Sequence, residues 1–187
     1  MYETSDFRKN LKIMVEGNPY QILDFQHVKP GKGNQFTRTK LRNLLTGQLL
    51  ERTFKSGERF EIPNTENREM TFLYKDDNGW AFMDKTSYEQ ISLNETEVGD
   101  SKNYLTENLE VVILMYNERP VSVDVPKAVN LRVVKADPGI KGDRVTGATK
   151  PATMETGLVV SVPLHISEGD ILRIDTSSGD YVGRVND

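Results

Sequence analysis

Lys32 is the residue of this chain best placed to act on something outside it. It stands in the run Val28-Lys29-Pro30-Gly31-Lys32-Gly33-Asn34-Gln35-Phe36, with a glycine on either side. Pro30 pre-sets φ for the first corner of a turn, and Gly31 is expected to supply the positive φ of the next. Neither glycine has a side chain to pack over the ammonium group, and both let a partner approach the backbone closely. The chemistry on offer is a presented cation. A solvated hairpin tip has the same composition, so the turn alone leaves both readings open. Nucleotide-loop chemistry is excluded. Lys32 is followed by Gly33 and a strand-like run rather than by Ser/Thr and a helix, and Phe36 stands where a dinucleotide fingerprint needs its third glycine.

Downstream, Phe36-Thr37-Arg38-Thr39-Lys40-Leu41-Arg42 puts Arg38, Lys40 and Arg42 on one face by the two-residue period of a strand. Cations spread over ~13 Å can track a phosphate backbone, and they can equally keep an exposed strand soluble. Both readings meet at the lysine tip, which begins a few residues away. Catalysis has little to stand on. His27 and His165 are the two histidines, there is no cysteine, and neither histidine has a metal-ligand spacing nearby. Asp76, Asp77 and Asp143 are accounted for by turn chemistry. No enzyme activity, cofactor or metal is expected.

These groups must be carried by short strands. Leu11–Val15 and Tyr20–Leu23 flank the turn formers Glu16-Gly17-Asn18-Pro19, Leu49–Phe54 follows the basic strand, and Gly57 marks a turn. Glu69–Tyr74 and Trp80–Met83 flank Asp76-Asp77-Asn78-Gly79, and Leu109–Tyr116 and Pro120–Val125 come after an acidic connection, Lys85–Asn108, with room for one short helix. Trp80 reads as a core residue. Leu131–Val134, Gly157–Pro163, Asp170–Ile174 and Tyr181–Val185 are the last strands, and Gly142–Thr149 is a glycine-punctuated loop. The expected fold is all-β, with small barrels over residues 1–63, 64–126 and 127–187.

Charge is divided unevenly among them. The net charge of -4 hides eleven Lys/Arg against seven Asp/Glu in residues 1–63, five against thirteen in 64–126, and eight against eight in 127–187. A basic first third suits a polyanion, and an acidic middle third repels one, although such asymmetry also arises between ordinary surface patches. No apolar run approaches the ~20 residues of a membrane span, and the amino terminus lacks the apolar core of a secretion signal. A cytoplasmic monomer without membrane contact is expected.

The turn Lys29-Pro30-Gly31-Lys32-Gly33, the Arg38/Lys40/Arg42 ladder, the strand Glu51–Lys55, and the later pattern Lys150-Pro151-Ala152, Gly157, Val160, Val162-Pro163, Ile166 and Gly169 together resemble the bacterial elongation factor P family. The likeness runs the whole length, with its motifs in order. That family is homologous to the archaeal and eukaryotic factor that bears hypusine. The resemblance implies an SH3-like (KOW-like) barrel followed by two OB-fold barrels, arranged roughly as a tRNA-shaped L. It implies a factor that binds the ribosome between the P and E sites, meets rRNA and P-site tRNA, and relieves stalling at consecutive prolines. Lys32 then matches the tip that reaches towards the peptidyl-transferase centre and is usually extended by a lysine-modifying enzyme. Lys29, Pro30, Gly31 and Gly33 match the turn that holds it. Gly142, Asp143 and Thr149, with Tyr181 and Arg184, match the RNA-facing loop and end of the last domain. A paralogous subgroup lacks the lysine turn, so its presence favours the main family.

A generic OB-fold RNA-binding or chaperone module is the alternative. It would be expected to expose aromatics at strand spacing for stacking on bases, whereas the aromatics here lie mostly within apolar runs.

Overall fold

The structure, a computed structural model, describes residues 1–139 and 148–185. Packing divides the chain into two compact units, Met1–Glu66 with Met115–Val121 and Asn67–Leu114 with Ser122–Asp187.

In the first unit the strands are β1 (Tyr2–Glu3), β2 (Lys12–Val15), β3 (Asn18–Val28), β4 (Phe36–Asn43), β5 (Leu49–Lys55) and β6 (Arg59–Phe60). The sheet runs β2-β3-β4-β5, every neighbour antiparallel, and β1 pairs with β6. Its core is Phe7, Leu11, Ile13, Val15, Ile22, Leu41, Phe54 and Phe60, with Phe7 edge-on to Phe54 at 6.1 Å and Phe54 edge-on to Phe60 at 4.7 Å. Edge-to-face contact between rings adds to what area burial alone provides. β3 begins two residues earlier than the Gly17-Asn18-Pro19 turn signal implied. Asn18 and Pro19 are already paired with Val15 and Met14, and the reversal is made by Glu16 and Gly17, both at positive φ.

The next strands are β7 (Thr65–Asp76), β8 (Gly79–Asp84), β9 (Gln90–Leu93), β10 (Glu110–Tyr116) and β11 (Arg119–Asp124), in the sheet order β11-β10-β7-β8-β9. The acidic connection holds a four-residue helix, α1 (Glu95–Val98), with an Asn94/Glu97 capping box, followed by the 3₁₀ segment Gly99–Tyr104. Trp80 is not the core residue its composition suggested. It is half-buried beside the turn, with the Lys75 ammonium 4.8 Å from its ring centre, and the buried positions go to Phe72 and Phe82. Gly79 leaves no room for a side chain. Its φ is +122°, and a Cβ there would lie 2.2 Å from the Leu93 carbonyl oxygen. Gly79→Ala is therefore expected to destabilise the fold by at least ~2 kcal/mol in urea unfolding; a loss below ~0.5 kcal/mol would contradict this packing.

The last strands are β12 (Ala128–Ala136), β13 (Thr149–Met154), β14 (Val159–Pro163), β15 (Ile171–Asp175) and β16 (Tyr181–Arg184), in the order β14-β13-β12-β15-β16. They enclose Val129, Leu131, Val133, Ala152, Met154, Val160, Val162, Ile166, Leu172 and Ile174. β13 has no counterpart among the strands expected from the sequence; it holds Pro151, a residue uncommon inside a sheet. Tyr104, from the 3₁₀ segment before β10, completes this core.

Candidate functional site: the lysine-tipped hairpin

β3 and β4 form a long hairpin whose last register pair is Val28 with Phe36. Residues 29–35 make the loop, and every one of them is exposed. The positive φ falls at Gly33 (+109°), not at Gly31, and nothing lies within 4 Å of the space a Gly31 side chain would fill. A seven-residue loop does not need the tight two-residue Pro-Gly corner, so the chain reverses just beyond the lysine. Lys32 is thus carried at the middle of an exposed loop whose glycines bring no side chain to cover it.

The arm beneath is held firmly. Thr37, Thr39 and Leu41 of β4 are buried between exposed Arg38, Lys40 and Arg42, so the alternation expected from sequence is present. His27 Nδ1 lies 2.8 Å from Thr37 Oγ1, its ring stands edge-on to Phe25 at 5.3 Å, and Ser56 N–H donates to the Gln35 carbonyl at 3.1 Å. The first braces β3 against β4, the second lies within β3, and the last ties the descending limb of the loop to the end of β5. A groove at this base is lined by Thr4, His27, Lys29, Gln35, Phe36 and Gly57.

The ladder itself is less uniform than the alternation in sequence suggests. Arg38 faces Gln26 and Thr53, and Arg42 faces Gln21 and Leu49, but Lys40 has Asp24 on one side and Glu51 on the other. Neighbouring Arg52 is committed elsewhere, gripping Glu16 with two hydrogen bonds of 3.1 and 2.9 Å. Hydrogen bonding and then charge hold the Glu16 carboxyl below its usual range and raise the guanidinium. Counting pairs back from the loop would have placed Glu51 beside Lys40. Counting in the same way from Val28 opposite Phe36 places Asp24 on its other side, because the β3 register shifts only beyond that pair, between Asp24 and Ile22.

The remaining positions lie in the second unit. Gly142 and Asp143 are outside the described residues. Thr149 opens β13, exposed, and accepts a hydrogen bond from Ser161 Oγ at 3.2 Å. Tyr181 is half-buried against the last core, and Arg184 is exposed at the far end of β16, with its guanidinium 4.0 Å from Asp170. β12 and β15 separate β13 from β16 in the sheet order, while β14, the other neighbour of β13, is in contact with β16. Sequence reading gave no role to Lys150, which is buried and donates from Nζ to the Asp137 carbonyl.

Three family models match the chain. Residues 3–60 match "Elongation factor P (EF-P) KOW-like domain", residues 65–123 "Elongation factor P (EF-P) OB domain", and residues 129–184 "Elongation factor P, C-terminal". The chain is 74% identical over 186 residues to elongation factor P of Bdellovibrio bacteriovorus, covering 100% of this chain and 99% of that one. It is 50% identical over 184 residues to elongation factor P of Desulfovibrio desulfuricans, covering 98% and 100%. Among solved structures, "Eukaryotic translation initiation factor 5A from Methanococcus jannaschii" is similar in fold, with a TM-score of 0.54 at 19% identity over 67% of this chain and 90% of that one.

Proposed function

Because the chain belongs to the elongation factor P family of translation factors, we propose that it binds the ribosome between the P and E sites and promotes peptide-bond formation at consecutive prolines through Lys32. The observation that carries this reading is the Lys32 loop: a lysine exposed at the end of a braced hairpin, inside the stretch that matches the family's KOW-like domain. The proposal keeps residues 1–63, 64–126 and 127–187 as the three domains, supported by the three separate stretches of family match. It also takes the protein to act in the cytoplasm as a monomer.

The mechanism needs no catalytic base on the protein. Proline is a poor acceptor and a restrictive donor, since its ring fixes φ and narrows the approach of the growing chain. Holding the end of the P-site tRNA and its nascent chain in a near-attack arrangement lowers the entropic part of the barrier. Lys32, lengthened by a modifying enzyme, would contact the tRNA backbone near that end, with Lys29, Pro30, Gly31 and Gly33 keeping its approach open. Arg38, Lys40 and Arg42 form the face that meets phosphate further out, and Thr149, Tyr181 and Arg184, with Gly142 and Asp143, are carried as contacts of the last domain. The bond itself is made by the ribosome's RNA.

Adding the purified protein to a reconstituted translation system should speed a Pro-Pro-Pro reporter and leave a proline-free control unchanged; equal effects on both would refute the reading. The phosphate-facing part has its own check. Arg38→Ala with Arg42→Ala should weaken ribosome affinity and flatten its salt dependence, by roughly 0.7–0.9 in slope for each phosphate no longer neutralised. Unchanged affinity at two salt concentrations would remove β4 from the interface.

A further inference from the structure

Two carboxylates stand beside Lys40 in the sheet. Along β3 the register passes from Ile22 opposite Leu41 directly to Asp24 opposite Lys40, so Leu23 is the extra, unpaired residue. Counted from the loop, where Val28 faces Phe36, the pairing reaches Asp24 opposite Lys40 without interruption, and the bulge comes only after it. From the other edge β5 brings Glu51 opposite the same lysine. Asp24, Lys40 and Glu51 are all at least partly exposed, so they make one row of acid, base and acid across three strands. The rows on either side hold Arg38 and Arg42 between uncharged neighbours. Directly opposed side chains have Cβ atoms ~4.5–5.5 Å apart, well inside the ~8–10 Å over which salt leaves exposed charges in touch.

We propose that Asp24 and Glu51 are specificity-determining residues of the basic face: they neutralise Lys40, confine phosphate contact to Arg38 and Arg42, and keep the hairpin from gripping RNA indiscriminately. Sequence-independent attraction to phosphate grows with the number of cations that release counterions, so two opposed carboxylates lower it without touching the tip. The inference rests on β4 being the phosphate-facing strand.

The test uses the full chain and two probes, poly(U) RNA and ribosomes carrying a P-site tRNA. Asp24→Asn with Glu51→Gln keeps size, and the asparagine can still accept the Phe25 N–H that Asp24 now holds at 2.9 Å. This double variant is expected to bind poly(U) roughly threefold to tenfold more tightly, with a salt slope steeper by ~0.7. Lys40→Ala should cost the natural chain less than Arg38→Ala does, and should erase the gain when added to the double variant. An unchanged slope and affinity in the double variant, or a Lys40→Ala loss equal to that of Arg38→Ala, would overturn the proposal. If Arg38→Ala and Arg42→Ala leave ribosome binding untouched, the phosphate-facing reading falls as well; if they weaken it while the carboxylates prove silent, only this inference falls.

Discussion

Lys32→Ala is expected to abolish rescue of a Pro-Pro-Pro reporter while changing stability by no more than ~0.5 kcal/mol, the usual scale for an exposed substitution. Both halves follow from the loop. Residues 29–35 are all exposed, and no side chain occupies the space around Gly31, so removing the lysine side chain takes away little packing. What it takes away is the group that would order the end of the peptidyl-tRNA, and a positioning contribution of that kind appears in the rate of the chemical step. Lys32→Arg sharpens the test. It keeps the charge but changes shape and cannot take a lysine-specific extension, so it should also fail, whereas a merely solvated cation would be replaced without loss. Peptide-bond formation in a reconstituted system, with a thermal melt on each variant, reads both quantities. Full proline-specific activity in either well-folded variant would remove Lys32 from the mechanism.

Tyr104→Ala is expected to cost ~3–5 kcal/mol, the range for deleting a large buried aromatic side chain. The residue belongs to the 3₁₀ segment Gly99–Tyr104, yet it is only 8% exposed and closes the core made by β12 to β16. The preceding Asn103 carbonyl accepts a hydrogen bond from Thr156 Oγ1 at 2.6 Å, so the segment is tied on as well as plugged in. At Gly179 a Cβ would come within 3.3 Å of the Tyr104 hydroxyl. Burial, and then the carboxylates of Asp100, Asp175 and Asp180, push the phenol above its usual range, so it stays neutral across physiological pH. Tyr104→Phe keeps the ring and should cost under ~1.5 kcal/mol. Amide hydrogen exchange should show the loss in the strands from β12 to β16 first. A Tyr104→Ala penalty below ~1 kcal/mol would mean that those strands close their core without it.

Local pattern was a sound guide wherever one face of a strand is buried. In β4 the alternation of Thr37, Thr39 and Leu41 with Arg38, Lys40 and Arg42 is the burial pattern itself, because a strand with one wet face has to put cations and core residues on opposite sides. The lysine loop was legible for a similar reason, since two glycines and a proline admit few other uses. The details that failed were those where a residue's general habit lost to its particular place. Trp80 argued for the core but flanks a turn, and the positive φ expected at Gly31 moved to Gly33 because the loop is longer than a Pro-Gly corner.

By itself, the sequence determined the all-β class, the family, and which residue stands unprotected at the loop tip, since each of these is written in the type and spacing of neighbouring residues. Tertiary structure alone decided that Lys150 is buried against the Asp137 carbonyl and that Tyr104 completes a core built by strands more than twenty residues further on. Each of these is a pairing between segments distant in the chain. Their partners are set by strand register and packing, and a one-residue shift in register turns every side chain to the other face with no change in the composition around it.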